Sequence, residues 1–293
     1  QKDCLPKTAW PPTFSNAYLS VDIDEKGGCI SKITYMPDRE VLTFPGADYW
    51  KYSDHILFPF CGRMNGGYYE YCGKCYKSDL HGFAKDSAFS VIEKEENRVK
   101  LAFSQNKQTL AVYPFEFSFA VTYELKENTL SVAYEVENTS DKTMYFMLGA
   151  HPGFLLDADQ TDEADLHSED NEYLPLDGVL LSREIRVEKD GVIKLDKSFF
   201  RKHNTFIAKR KSDTLTIKRK NFDIDIKSDS PLIALWADDM RDQYVCAESW
   251  WGACDYAKDP VRELGEKSYI NMLEAGKSKK FGYSVWVKAK QEI

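Results

Sequence analysis

No stretch of the 293-residue chain approaches the roughly 20 consecutive apolar residues that a membrane-spanning helix needs. Positive charge is short as well: 39 Lys and Arg against 47 Asp and Glu leave a net charge of −8. Nucleic-acid binding needs clustered cations to displace phosphate counterions, and anionic membrane surfaces need them too, so both partners are disfavoured. The local signatures of nucleotide binding, zinc proteolysis and serine hydrolysis (GxGxxG, GxxxxGK[ST], HExxH, GxSxG) are missing. Amphipathic helical runs of about 12 residues or more are absent.

The cysteines are few and odd in number: seven, from Cys4 to Cys254. A chain of this size does not need disulfide staples, so they read as reduced thiols of a cytoplasmic protein. Residues Gln1 to Lys7 carry charge but no apolar h-region, so no signal peptide is expected. Cys72 and Cys75 have metal or redox spacing. They lack a second pair to complete the four ligands of structural zinc, and the surrounding YYEYCGKCYK reads as a hairpin turning at Gly73-Lys74. Neither a metal nor a cofactor is expected.

Aromatic residues, by contrast, are plentiful: 17 Phe, 17 Tyr and 6 Trp make 14% of the chain. Such side chains suit pleated sheets, and their flat apolar faces also suit the C–H faces of sugars. Period-two alternation is the dominant pattern. Leu130, Val132, Tyr134 and Val136 share one strand face, joined to Phe115–Leu125 through the turn Lys126-Glu127-Asn128. Val99, Leu101 and Phe103 form another strand, and Tyr283, Val285 and Val287 a later one. Leu215 and Ile217 lead through Lys220-Asn221 into Phe222, Ile224 and Ile226 as a hairpin. Many short strands at this spacing predict an all-β protein, an antiparallel sandwich or barrel. The acidic run Asp157–Asp170 reads as a surface loop or connection, and the strand pattern resumes beyond it unchanged, so residues 1–293 are expected to form one domain.

Only five histidines are available for acid–base work. His81 (in Asp79-Leu80-His81-Gly82-Phe83) and His151 (in Gly149-Ala150-His151-Pro152-Gly153) sit among small residues and proline, in tight turns at strand ends where sites are often built. His167, in the acidic run, and His203, in a basic stretch, read as solvated. Glu248 follows a short apolar segment and precedes Trp250 and Trp251, a setting that desolvates a carboxylate and raises its pKa toward that of a useful base. Arg63, after Phe58-Pro59-Phe60-Cys61-Gly62, is placed to aim a fixed cation into a cleft. Taken singly, each also fits a purely structural role.

Four segments in order, FPFCGR (58–63), LHGFAK (80–85), GAHPGF (149–154) and YVCAESWWGACD (244–255), resemble the aldose 1-epimerase (galactose mutarotase-like) family, and within it the LacX-like branch. The resemblance runs from Gly28–Ile33 to Glu274–Lys277, nearly the whole chain. It implies an antiparallel β-supersandwich and cofactor-independent interconversion of α- and β-aldose anomers. Carried over position by position, it makes Glu248 the general base and His151 the general acid. His81 and Arg63 would bind and polarise the ring oxygen and hydroxyls. Trp250 and Trp251 are candidate stacking platforms, with Phe83 and Phe154 as further candidate walls, and Asp196 a weak match for the family's substrate-contacting aspartate. Ser249 and Lys85 depart from the family's usual Pro and Arg; neither removes a catalytic group. The expected partner is a small-molecule sugar, bound by a monomer or homodimer. A binding protein without turnover and a hexose-phosphate epimerase are the rivals; the latter would line its cleft with extra Lys or Arg, and Arg201–Lys220 is the stretch that has them.

Overall fold

The protein is described by a computed structural model covering residues 12–159, 161–238, 244–258 and 260–290. Cys4 lies outside the described residues. Among the described residues strands dominate, and the two α-helices, Lys107–Val112 and Lys197–His203, are short. Among the described residues no helix is long and apolar enough to cross a membrane.

The alternating segments become the strands of a nine-stranded antiparallel sheet. Phe117–Lys126 and Thr129–Asn138 pair along their full length, with Val121 opposite Tyr134. Phe117, Phe119, Val121, Tyr123 and Leu125 all point inward and are buried, each contributing about 1.5–3 kcal/mol of transfer free energy. Ser278–Ala289 closes on Thr129–Asn138 on one side and on Phe222–Ser228 on the other. The all-β architecture expected from the sequence is therefore present, with the core between this sheet and a second one of eight strands.

Three expectations need correction. The run Asp157–Asp170 is not simply a loop: Glu163–Asp165 is a strand of the nine-stranded sheet, with Ala164 buried. One inward alanine between acidic neighbours is too little apolar signal to show in the sequence. The hairpin at 68–77 turns at Cys72-Gly73, one residue earlier than expected, because both adopt positive φ (50° and 72°) as a tight two-residue hairpin turn requires. Cys72 and Cys75 are exposed thiols on it. His203 is half-buried rather than solvated, its ring packed against Tyr173, Phe199 and Phe206 with Nε2 unpartnered; burial pushes its pKa down to about 4. His167 is exposed, as expected, with Nε2 on the Thr216 hydroxyl.

Five strands of the eight-stranded sheet position the candidate site: β1 (Ile56–Leu57), β2 (Leu148–Ala150), β3 (Gly153–Leu155), β4 (Leu232–Trp236) and β5 (Tyr244–Trp251). All eight residues of β5 are buried, since it is covered on both faces and flanked on both edges. Such a strand loses the two-residue period of a one-sided strand. Glu248 therefore lies within this strand, not after it.

A candidate active site on the central strand

β2 and β3 both pair with β5 and are separated only by His151 and Pro152. Proline has no N–H for the ladder, so the pairing breaks there; instead the Ala247 N–H donates to the Pro152 carbonyl at 3.1 Å. The register on either side of the break, Gly149 opposite Trp250 and Gly153 opposite Cys246, sets His151 directly across from Glu248. His151 Nε2 and Glu248 Oε1 are 3.3 Å apart, and both residues are buried. β1 continues the row: Ile56 is opposite Ala150 and Leu57 opposite Gly149, so His55 falls beside His151. Their rings stack with centroids 4.2 Å apart at 25°.

His81 arrives from a separate turn. It has φ 62°, a left-handed conformation costing about 1–3 kcal/mol for a non-glycine residue. Gly82 follows at φ 70°, and a Cβ there would meet the Phe58 carbonyl at 2.3 Å, so only glycine fits. The His81 N–H donates to the Gly62 carbonyl at 2.9 Å, and the Gly62 N–H donates to His81 Nδ1 at 3.0 Å. That second bond fixes the proton of the neutral imidazole on Nε2, which becomes a donor facing the other two histidines.

The four residues line one cavity of about 340 Å³, Arg63 with its side chain exposed. Among the described residues Arg63 forms no ion pair, whereas Lys85 is held by Asp86 at 3.1 Å and by the Gly82 carbonyl. Trp50, Tyr52 and Trp236 give an aromatic wall, and Leu176, Val179 and Ile207 an apolar one. Trp50 and Trp236 both touch the His151 ring, at 5.5 and 5.8 Å between centroids.

Electrostatics follow from burial. Desolvation pushes the Glu248 carboxyl well above the usual carboxylate range, opposed by the Trp250 indole N–H, which donates to Oε2 at 2.8 Å. It pushes His151 down to about 3, and His55 and His81 well below the usual imidazole range. The His151–Glu248 pair thus favours the neutral form, carboxylic acid beside imidazole.

Nitrogens of His55, His81 and His151 lie within 4.8 Å of one another, the spacing of a metal-ligand set. The Gly62 bond argues for a different use: a ligating histidine normally donates its second N–H outward, whereas His81 accepts there and presents Nε2–H inward. A group that donates into the cavity suits a hydroxyl or ether oxygen.

Asp196 lies elsewhere. Its carboxylate caps the N-terminus of the Lys197–His203 helix by accepting the Phe199 N–H at 2.9 Å. The Asp-Lys-Ser-Phe sequence carries that cap signal. Trp250 lines the cavity but is buried, holding Glu248 rather than offering an open platform. Trp251 points away, onto Tyr134 and Phe281, with its N–H on Asp229. Phe83 and Phe154 pack into the core and do not line the cavity. The walls missed in the sequence, Trp50, Tyr52 and Trp236, carry no local motif.

The chain thus combines an antiparallel β architecture with a buried histidine–glutamate pair across a central strand of one sheet. The aldose 1-epimerase family model matches residues 13–286, and the chain belongs to that family. It is 26% identical over 260 residues to protein LacX (chromosomal) of Lactococcus lactis subsp. lactis, covering 82% of this chain and 87% of that protein. Its fold is similar to a galactose mutarotase related enzyme from Lactobacillus acidophilus (TM-score 0.91, 29% identity, 95% of this chain and 97% of the other). A galactose mutarotase-like protein from Lactobacillus casei ATCC 334 is also similar (TM-score 0.89, 25% identity, 95% and 100%).

Proposed function

We propose that the protein is a mutarotase that interconverts the α- and β-anomers of a free aldose by opening and reclosing the pyranose ring. The observation that carries this reading is the 3.3 Å approach of His151 Nε2 to Glu248 Oε1 inside the cavity. Glu248, as carboxylate, takes the proton of the anomeric hydroxyl. The C1–O5 bond breaks as the C1 carbonyl forms, and protonated His151 delivers a proton to O5. The pair passes from carboxylate–imidazolium to carboxylic acid–imidazole, the form that burial favours, so the site's own electrostatics draw the reaction toward the open chain. Rotation about C1–C2 presents the other carbonyl face, and the same transfers in reverse close the ring.

His81 Nε2–H and the Arg63 guanidinium then bind and polarise the sugar oxygens. The sugar's hydroxyls join the Trp250 N–H in supporting the charged form of the pair. A neutral sugar fits better than a phosphorylated one, because Arg201–Lys220 contributes Asn204, Thr205 and Ile207 to the cavity wall and no cation, and of the two lining cations, Arg63 and Lys85, the second is already paired with Asp86. The six described cysteines are all free thiols, which suits a reducing cytoplasm.

Polarimetry of freshly dissolved pure anomers of glucose, galactose, xylose and arabinose tests the reading. The protein should accelerate equilibration over the blank, and Glu248→Gln should lower kcat/KM about 100-fold or more. Wild-type rates equal to the blank across the panel overturn it.

A further inference from the structure

His55 belongs to none of the motifs that carry the family resemblance, yet it stands in the row with the acid–base pair. Three adjacent strands place Glu248, His151 and His55 side by side in one register, about 4.8 Å apart per strand. The ring is 3% exposed, Nδ1 is buried without a partner, and the side chain lines the cavity. Burying a polar atom that bonds to nothing costs free energy unless a bound ligand supplies the partner. Just before β1, Asp54 turns away from the cavity to accept the His151 backbone N–H, and the alternation of extended backbone turns the next side chain, His55, into it.

The row has a chemical direction, given the mutarotase reading on which this inference rests. With the C1 hydroxyl at Glu248 and the ring oxygen at His151, the next ring atom along the row is C5. Its exocyclic substituent therefore meets the His55 ring. We propose that His55 is a specificity-determining residue that hydrogen-bonds the hydroxyl on C6, so that the enzyme prefers aldohexoses to their 6-deoxy and pentose counterparts. Tyr52, whose ring lies 4.7 Å from the His55 ring, walls the same end of the cavity.

Two matched sugar series test it: glucose, 6-deoxyglucose and xylose; then galactose, D-fucose and L-arabinose. Within each, only the C5 substituent changes. The wild type should show kcat/KM about tenfold or more higher for the member with a C6 hydroxyl in at least one series. His55→Leu, similar in bulk but unable to hydrogen-bond, should reduce that ratio toward one. His55→Asn, whose amide reaches the position of Nδ1, should restore most of it. A wild type that turns over all members of both series equally overturns the assignment while leaving the mutarotase reading intact. So does a His55→Leu enzyme that keeps the wild-type ratio. A wild type that accelerates none of the six sugars overturns the mutarotase reading and the assignment with it. Because the wild-type comparison needs no substitution, a variant that fails to fold does not remove the test.

Discussion

Gly62 and His81 exchange two hydrogen bonds: the His81 N–H donates to the Gly62 carbonyl, and the Gly62 N–H donates to His81 Nδ1. Backbone strain at His81 is thus held by the same residue that sets its tautomer. Gly62 itself has φ 68°, and a Cβ there would lie 2.5 Å from the Cys254 Cβ, so the turn tolerates only glycine. The apolar run Phe58-Pro59-Phe60-Cys61 is buried and anchors this turn in the core, and both Arg63 and His81 line the cavity.

The exchange predicts a separation of stability from activity. His81→Asn keeps an acceptor near the position of Nδ1 for the Gly62 N–H but removes the Nε2–H donor. Its unfolding free energy in urea should stay within about 1 kcal/mol of wild type, while kcat/KM falls about 100-fold. Gly62→Ala should instead lose about 2 kcal/mol or more, because the new Cβ must displace β-carbon and backbone atoms of Cys254. Equal losses of stability in the two variants would contradict this division of roles.

The acid–base pair predicts an unusual pH profile. The working enzyme carries one transferable proton on the pair. A second proton is added only as the pH falls toward the depressed value of His151, about 3, so the acid limb of kcat/KM should lie far below 6.5. The single proton is retained above the usual carboxylate range, because burial raises Glu248. Trp250→Phe removes the indole donor that lowers Glu248, so the alkaline limb should move to higher pH and kcat/KM should fall about tenfold. Blank-corrected polarimetry from about pH 4 to 9 decides it; an acid limb near 6.5, that of an ordinary imidazole, refutes the neutral-pair description.

Much of this was legible in the sequence wherever a strand has one wet face. Thr129–Asn138 and Phe222–Ser228 alternate plainly because their outward residues remain polar. β5 gave only an undifferentiated apolar run, since burial on both faces erases the period and hides that Glu248 is central. Arg63, His81, His151 and Glu248, which line the cavity, each fall in one of the four motifs, whereas His55 does not: it joins them through strand register, which pairs residues about 95 positions apart. Asp196 misled for the opposite reason, since an aspartate before a short helix reads equally as a cap or a ligand until the helix is seen.

Asp54 carries the last prediction, because it supports the site from behind. It is 1% exposed and accepts N–H bonds from His151 at 3.3 Å and Ile30 at 3.4 Å, but these do not offset its desolvation, and its pKa rises to about 7. The folded value lies above the unfolded one of 3.8, so protonated Asp54 favours the fold. That contribution is fully present below about pH 3.8 and is lost as the pH rises through about 7, to the extent of about 4 kcal/mol. Asp54→Asn cannot ionise and removes this dependence. Urea unfolding of both proteins at a series of pH values should show the wild type losing ground to the variant steadily between about pH 4 and 8. A constant difference across that range would mean that Asp54 is charged in the native protein throughout. The His151 N–H would then be held by a carboxylate, and the backbone bond that positions the general acid would be charge-assisted at every working pH.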